Sequence, residues 1–270
     1  MTVFYDPFLL IFSVVFIFGA VVGSFLNVCI ARLPKEESIV SPPSHCPLCK
    51  TPIAFYDNIP LISYIHLRGR CRSCGEKISP RYFVVEFFMS VFAALLFSRI
   101  GLGLAFFVNF VLVAALIVIT FIDLDVRIVP DVISLPGIGF GFLASIIQYY
   151  WPLGALSNLP SPVSSLVGII IGGGSLLLVA WSYQFFTGIE GMGGGDIKLL
   201  AMIGAFLGWP SIPVALFFAS LIGSIVGVAF MLKKGVDSKY ALPFAPFLCF
   251  GALVYLFFGE LLIALYQPLG

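Results

Sequence analysis

The stretch GLAFFVNFVLVAALIVITFIDLD occupies residues 103–125, and its first twenty positions carry no charge. A helix needs about 20 apolar residues to cross the hydrocarbon core of a bilayer. The run therefore predicts a membrane span over 103–122, closed by Asp123 and Asp125 at its end. The whole chain shares this character. Of its 270 residues 60% are hydrophobic and 10% charged, against about 25% charged in a soluble domain. Such a surplus of apolar surface excludes a soluble fold, and the lipid bilayer is the first expected partner. No nucleic-acid partner is expected.

Working outward from 103–122, eight apolar runs lie near 8–31, 83–100, 103–122, 133–151, 162–186, 197–207, 212–232 and 243–266. The predicted fold is an all-α polytopic membrane protein of about eight transmembrane helices. The sixth run is short and ends at Gly208-Trp209-Pro210, a tight-turn signal. Seven spans with one re-entrant segment is the alternative, since irregular backbone at membrane depth is tolerated where protein encloses it. The N-terminus lacks the basic region and small-residue cleavage site of a secretory signal, so the first run is expected to stay as a span.

Residues 32–82 break the pattern. They are polar and rich in proline, with Pro34, Pro42, Pro43, Pro47, Pro52, Pro60 and Pro80. The expected division is a first transmembrane helix at 1–31, a small extramembrane domain at 32–82 and a transmembrane core at 83–270. Lysine and arginine set the orientation. The 32–82 segment carries Arg32, Lys35, Lys50, Arg68, Arg70, Arg72, Lys77 and Arg81. Arg127, Lys233, Lys234 and Lys239 fall on the same side, whereas the loops 152–161 and 208–211 hold no charge and Arg99 is the exception. The positive side is expected to be the cytoplasm.

Cys46-x-x-Cys49 and Cys71-x-x-Cys74 stand 21 residues apart. Two such knuckles can converge four thiolates on one structural Zn²⁺. A domain of about 50 residues with few aliphatic core candidates needs a staple of this kind. Two disulfides or reduced, idle thiols are the alternative, and disulfides are disfavoured in a reducing compartment. Four cysteines close the coordination sphere, so catalytic zinc is not expected. Cys29 and Cys249 lie in spans and read as small buried hydrophobes. His45 and His66 read as surface residues.

Ionisable groups at membrane depth mark function by default. Asp123 closes the third run, and Gly193-Gly194-Gly195-Asp196 opens the sixth. Carboxylates delivered by two spans can share one proton and activate water on a peptide carbonyl. The glycines would let the backbone adopt conformations barred to other residues and come close to a ligand. A plain inter-helix loop with Asp196 as an N-cap stands level with that reading. If the third helix continues, Asp125 points about 200° away from Asp123. Asp131 follows Pro130 and reads as an N-cap of the fourth span. Glu86 and Asn27 read as helix-to-helix hydrogen-bonding groups, and Lys198 as an ordinary inner-face lysine.

At this point the chain resembles the bacterial type IV prepilin peptidases, the prepilin leader peptidase/N-methyltransferases. Gly23-Ser24-Phe25-Leu26-Asn27-Val28 with Arg32-Leu33-Pro34 is similar to the family's first-span signature. Asp57-Asn58-Ile59-Pro60, Leu67-Arg68-Gly69-Arg70-Cys71 and Ile78-Ser79-x-Arg81-Tyr82 with Glu86 are similar to its cytoplasmic domain. Asp123 with Pro130-Asp131, then Gly193-Gly194-Gly195-Asp196, fit the patterns of its two catalytic aspartates. Pro243-Phe244-Ala245-Pro246 resembles its entry to the last span.

The resemblance implies a multi-pass inner-membrane aspartyl endopeptidase. It would cut the leader of a prepilin or pseudopilin after a glycine, at the cytoplasmic face. It also implies S-adenosylmethionine-dependent methylation of the new N-terminus, with Gly69 near that activity. No G-x-G-x-x-G cofactor signature is visible. On this reading Asp123 and Asp196 are catalytic, Gly193 and Gly195 shape their loop, and the shared proton rests on Asp123 because it ends one helix while Asp196 begins another. Three other functions compete. A proton or cation channel needs a charged route across the bilayer, and the outward loops lack carboxylates. A zinc metalloprotease needs H-E-x-x-H or an open coordination position. A pure assembly protein needs neither activity.

Overall fold

Apolar runs with no water to satisfy their backbone become helices, because only helices close every N–H and C=O within one segment. The computed structural model describes residues 7–151, 159–188, 193–234 and 243–266, and among them it is helical with no strand. In order the elements are α1 (Pro7–Arg32), α2 (Ile62–His66), α3 (Arg81–Ile100), α4 (Leu104–Val126), α5 (Asp131–Tyr150), α6 (Pro162–Thr187), α7 (Gly194–Leu207), α8 (Ser211–Lys234) and α9 (Ala245–Tyr266). Short 3-10 turns form at Leu33–Lys35 and Phe55–Asn58. Each of the eight predicted runs forms a helix, and seven are long and apolar enough to cross a membrane.

The sixth run departs from the expected span. It forms α7, a helix of 14 residues, about 21 Å long at 1.5 Å per residue. That is short of the roughly 30 Å hydrocarbon core. Leu199 through Leu207 are all buried, so protein encloses α7. Gly208 then turns the chain at φ 77°, and the Trp209 N–H donates to the Ser164 carbonyl at 3.1 Å.

The chain divides into two compact units, one up to Val118 and one from Ile119. In the first, α1 packs on α3. In the second, α7 packs on α5 and α6, and α8 packs on α9. Gly168 meets the backbone of Gly204, and Gly172 meets that of Leu200. Side chains at these positions would force the helices apart. The Ser165 hydroxyl adds a bond to the Ala205 carbonyl at 2.7 Å. Register falling on one helix and rising on the other makes α6 and α7 antiparallel, and continuing it places Leu176 opposite Asp196. Beyond Leu176, α6 runs on to Thr187 with Trp181, Tyr183, Phe185 and Phe186 exposed. Aromatic residues of this kind collect at the membrane–water interface. Asp196 thus lies level with Leu176, about 7.5 Å from Trp181 along the α6 axis at the helical rise. The expected loop 152–161 is described only from 159, and Lys239 and Glu190 to Met192 lie outside the described residues.

Candidate active site

Asp123 sits in the last turn of α4, 5% exposed, while Asp125 is exposed. The helix continues to Val126, so the expected opposition of these two side chains holds. Arg127 ends the helix in the left-handed region at φ 58°, its N–H donating to the Asp123 carbonyl at 2.9 Å. The Asp123 carboxyl accepts the backbone N–H of Ala245, the first residue of α9. Its Oδ2 is buried with no hydrogen-bond partner among the described residues. One helical turn from each of these residues, Cys249 of α9 hydrogen-bonds Thr120 of α4. The end of α4, at Thr120 and Asp123, therefore meets the start of α9.

The Ala245 contact changes the electrostatics expected of Asp123. The sequence places this residue against the negative end of α4 alone. In the structure the positive N-terminus of α9 also points at it. The helix-end argument for resting the proton on Asp123 therefore loses its basis. The donor is a backbone group, so no side chain announces it. The available signal is Pro243-Phe244-Ala245-Pro246, in which both prolines lack an N–H and Ala245 is left to donate from the first turn.

Asp196 is half-buried in the first turn of α7. The N-cap is Gly193, so Asp196 is not the cap itself. The charges of Asp123 and Asp196 act on each other, and both act on Cys249. The structure thus brings the two predicted carboxyls into one neighbourhood. Gly193 has ordinary extended backbone at φ −71°, and none of Gly193, Gly194 and Gly195 is at positive φ. The expected special backbone conformation is absent. Close approach survives at one of them: a Cβ on Gly195 would lie 2.9 Å from Val129 Cβ. Around Gly193 and Gly194 the space is open among the described residues.

Asp131 also differs from expectation. Pro130 is the N-cap of α5, and no side chain caps it. The Asp131 carboxylate instead accepts two bonds from Lys198 Nζ, at 2.7 and 2.8 Å. Together with the Gly195–Val129 contact, this ties the α4–α5 connection to the first turn of α7. Sequence reasoning missed the pair because 67 residues separate its members.

In the 32–82 domain the four cysteines converge. All four sulfurs lie within 4.8 Å of one another, with Cys46 to Cys74 at 3.9 Å and Cys49 to Cys71 at 4.0 Å. Tetrahedral Zn–S bonds of about 2.3 Å require sulfurs about 3.8 Å apart. A disulfide requires about 2.05 Å, and the cysteines are free. The donor set fits a metal. Both knuckles share one geometry: Cys46 N–H to the Thr51 carbonyl with Lys50 at φ 58°, and Cys71 N–H to the Glu76 carbonyl with Gly75 at φ 72°. The Thr51 hydroxyl and then the Thr51 backbone hold the Cys49 thiol down at about 6. His45 and His66 stand outside the cluster.

Gly69 is buried at φ 66°, and a Cβ there would lie 2.9 Å from the Tyr64 hydroxyl. Tyr64 thus fills the space that a side chain at Gly69 would need.

Comparison with known proteins gives the family of the chain. The model of the bacterial peptidase A24 N-terminal domain matches residues 17–100, and that of the type IV leader peptidase family matches residues 110–228. The prepilin leader peptidase/N-methyltransferase of Aeromonas salmonicida (strain A449) is 34% identical, over 93% of this chain and 92% of its own. The chain belongs to the type IV leader peptidase family. Relatives with the same description occur in Pseudomonas putida, 33% identical over 90% of this chain and 89% of theirs, and in Neisseria gonorrhoeae, 36% identical over 81% and 82%. No solved structure matches the chain. As a member of this family it is a peptidase, and its spans make it a multi-pass protein of the inner membrane.

Proposed function

We propose that this leader peptidase cuts prepilins or pseudopilins after a glycine at the cytoplasmic membrane face, with Asp123 and Asp196 as its catalytic pair. The observation that carries the reading is the convergence of these carboxyls from α4 and α7, with Asp123 fixed by the Ala245 N–H. Asp196 borders the open space at Gly193 and Gly194 and acts as the base that takes a proton from water. The hydroxide so formed attacks the scissile carbonyl carbon. Asp123 presents Oδ2 and gives its proton to the carbonyl oxygen. Collapse of the tetrahedral intermediate returns that proton toward Asp123, and the proton held by Asp196 passes to the leaving amine. The unpartnered oxygen, rather than the helix ends, supports the proton on Asp123. Gly195 lets α7 seat against Val129, and Gly193 leaves the approach clear.

In this proposal the four cysteines hold structural Zn²⁺, and the basic charge of the 32–82 domain supports a cytoplasmic position for this side of the membrane. The division that goes with this proposal is span 1–31, zinc domain 32–82 and peptidase core 83–270. The names of the relatives support methylation of the new N-terminus with S-adenosylmethionine. In that reaction Gly69 acts through the fold of its domain. Purified enzyme in detergent, given a leader-bearing pilin, tests the proposal. Cleavage lost in both Asp123→Asn and Asp196→Asn supports the pair. Near-normal cleavage by either variant refutes it.

A further inference from the structure

A three-residue apolar stripe stands on the outside of the cysteine domain, within the first unit. Ile59, Ile62 and Ile65 are 44%, 65% and 65% exposed. Ile62 and Ile65 lie three residues apart on one face of α2, and Ile59 on the turn before it. Ser63 is turned the other way, donating to the Tyr56 carbonyl and accepting from the Ile59 N–H, both at 3.0 Å. The stripe is therefore rigidly oriented.

Its depth can be read from α3. Gly19 of α1 faces Ser90, Gly23 faces Glu86, and the Asn27 amide donates to the Tyr82 carbonyl at 3.1 Å. Glu86 thus sits on the membrane-spanning pair α1–α3, five residues past the start of α3, about 7.5 Å along its axis. Its Oε2 accepts the Leu61 N–H at 2.8 Å. Leu61 lies between Ile59 and Ile62, and its backbone is held in a γ-turn, at φ 61° and ψ −49°. The Ile62 N–H closes that turn on the Pro60 carbonyl at 2.6 Å. This conformation is rare and strained, so the segment is drawn down to the level of Glu86. The helix that carries the stripe also touches the aromatic row of α3. Exposed Phe87 stacks on Phe83, which meets Tyr64 of α2 at 5.6 Å. Arg68 and Arg70, both exposed, follow the stripe directly.

We propose that Ile59, Ile62 and Ile65 insert into the lipid leaflet beside α1 and α3, so that the segment from Phe55 to His66 anchors the cysteine domain on the membrane surface. The occupant is lipid because the stripe stands on a segment tied to membrane-spanning α3 through Glu86 and Phe83, with exposed cations beside it for anionic headgroups.

The test uses the full-length enzyme in bilayers. Trp151, Trp181 and Trp209 are changed to Phe, and one tryptophan is placed as Ile62→Trp, Ile65→Trp or, as a control on the exposed side of the domain, Glu76→Trp. Lipids brominated near the top of the acyl chains should quench the first two by about twofold and aqueous iodide should not, as for an interfacially inserted face. The control should behave oppositely. Quenching by iodide at 62 and 65 overturns the proposal in favour of a solvent-facing surface. Protection from both quenchers overturns it in favour of a protein partner. The unaltered chain gives a second measurement, free of any folding defect. A phospholipid with a photoactivatable acyl chain should form adducts on the 59–66 peptide. Adducts on α3 without any there overturn the proposal.

Discussion

The cysteine domain and the helical core around Asp123 are held together in opposite ways. Between residues 32 and 82 only Cys46, Ser63 and Gly69 are buried. In α7 nine consecutive residues are. The first region is a set of turns around four sulfurs and the second is close-packed apolar surface. A stapled domain should fail as a unit when the staple goes, whereas a packed core should tolerate the loss of a functional group. The carboxyls proposed as catalytic, Asp123 and Asp196, sit in the tolerant region.

The largest expected effect sharpens that contrast. Asp123→Asn and Asp196→Asn should each lower cleavage by at least about a thousandfold, the scale of a lost acid or base. Zinc content and thermal unfolding should remain near those of the unaltered enzyme. A pilin-processing assay run beside elemental analysis reads both. Unfolding in either variant would make the carboxyl structural.

Next comes the staple. Cys74→Ser should release the metal and leave 32–82 open to protease, while the helical signal of the core persists. Metal binding and folding of such a site are coupled by about 10 kcal/mol or more, so no partial phenotype is expected. A protease-resistant domain without zinc would break the comparison.

Smaller effects probe the ties within each region. Lys198 and Asp131 are partly exposed, and exposed pairs are worth little. Lys198→Ala should slow cleavage by less than about fivefold, and the change should shrink in high salt. Lys198→Asp with Asp131→Lys should restore the rate. If either single change abolishes turnover, the pair contacts the reaction itself.

The smallest concerns Asp57 in the cysteine domain. Its two bonds from Arg72, at 2.6 and 2.7 Å, hold its carboxyl below the usual carboxylate range. A group depressed on folding contributes stability above its unfolded value, near about 3.9, and loses it as pH falls through the folded one. In the Arg72→Gln variant a carbon-13 titration should move Asp57 upward. An unmoved titration separates the pair from domain stability.

Much of the fold was legible because long apolar runs leave the backbone one solution. The ends of α1, α3 and α6 fall within two residues of the expected limits. The length of α7 as a crossing was not legible, since hydropathy cannot tell lipid from enclosing protein. At the site, Asp123, Asp196 and the cysteines carried chemical signals of their own. Ala245 acts through its backbone, and the Asp131–Lys198 pair joins residues far apart in sequence. Neither leaves a trace in composition or periodicity. The GGGD glycines misled in part, because glycine suggests unusual φ, yet Gly195 serves by absence of a side chain.

The overhang of α6 sets a length scale for any peptide that reaches Asp196. From Trp181 the carboxyl is about 7.5 Å away along the helix axis. An extended chain advances about 3.3–3.6 Å per residue, whereas a helix advances 1.5 Å. Two to three unwound residues bridge the gap, against five helical ones. With Asp196 in its proposed catalytic role, the overhang would work as a gauge: the position cut would be counted from the water boundary, and a substrate would qualify by where its helix stops.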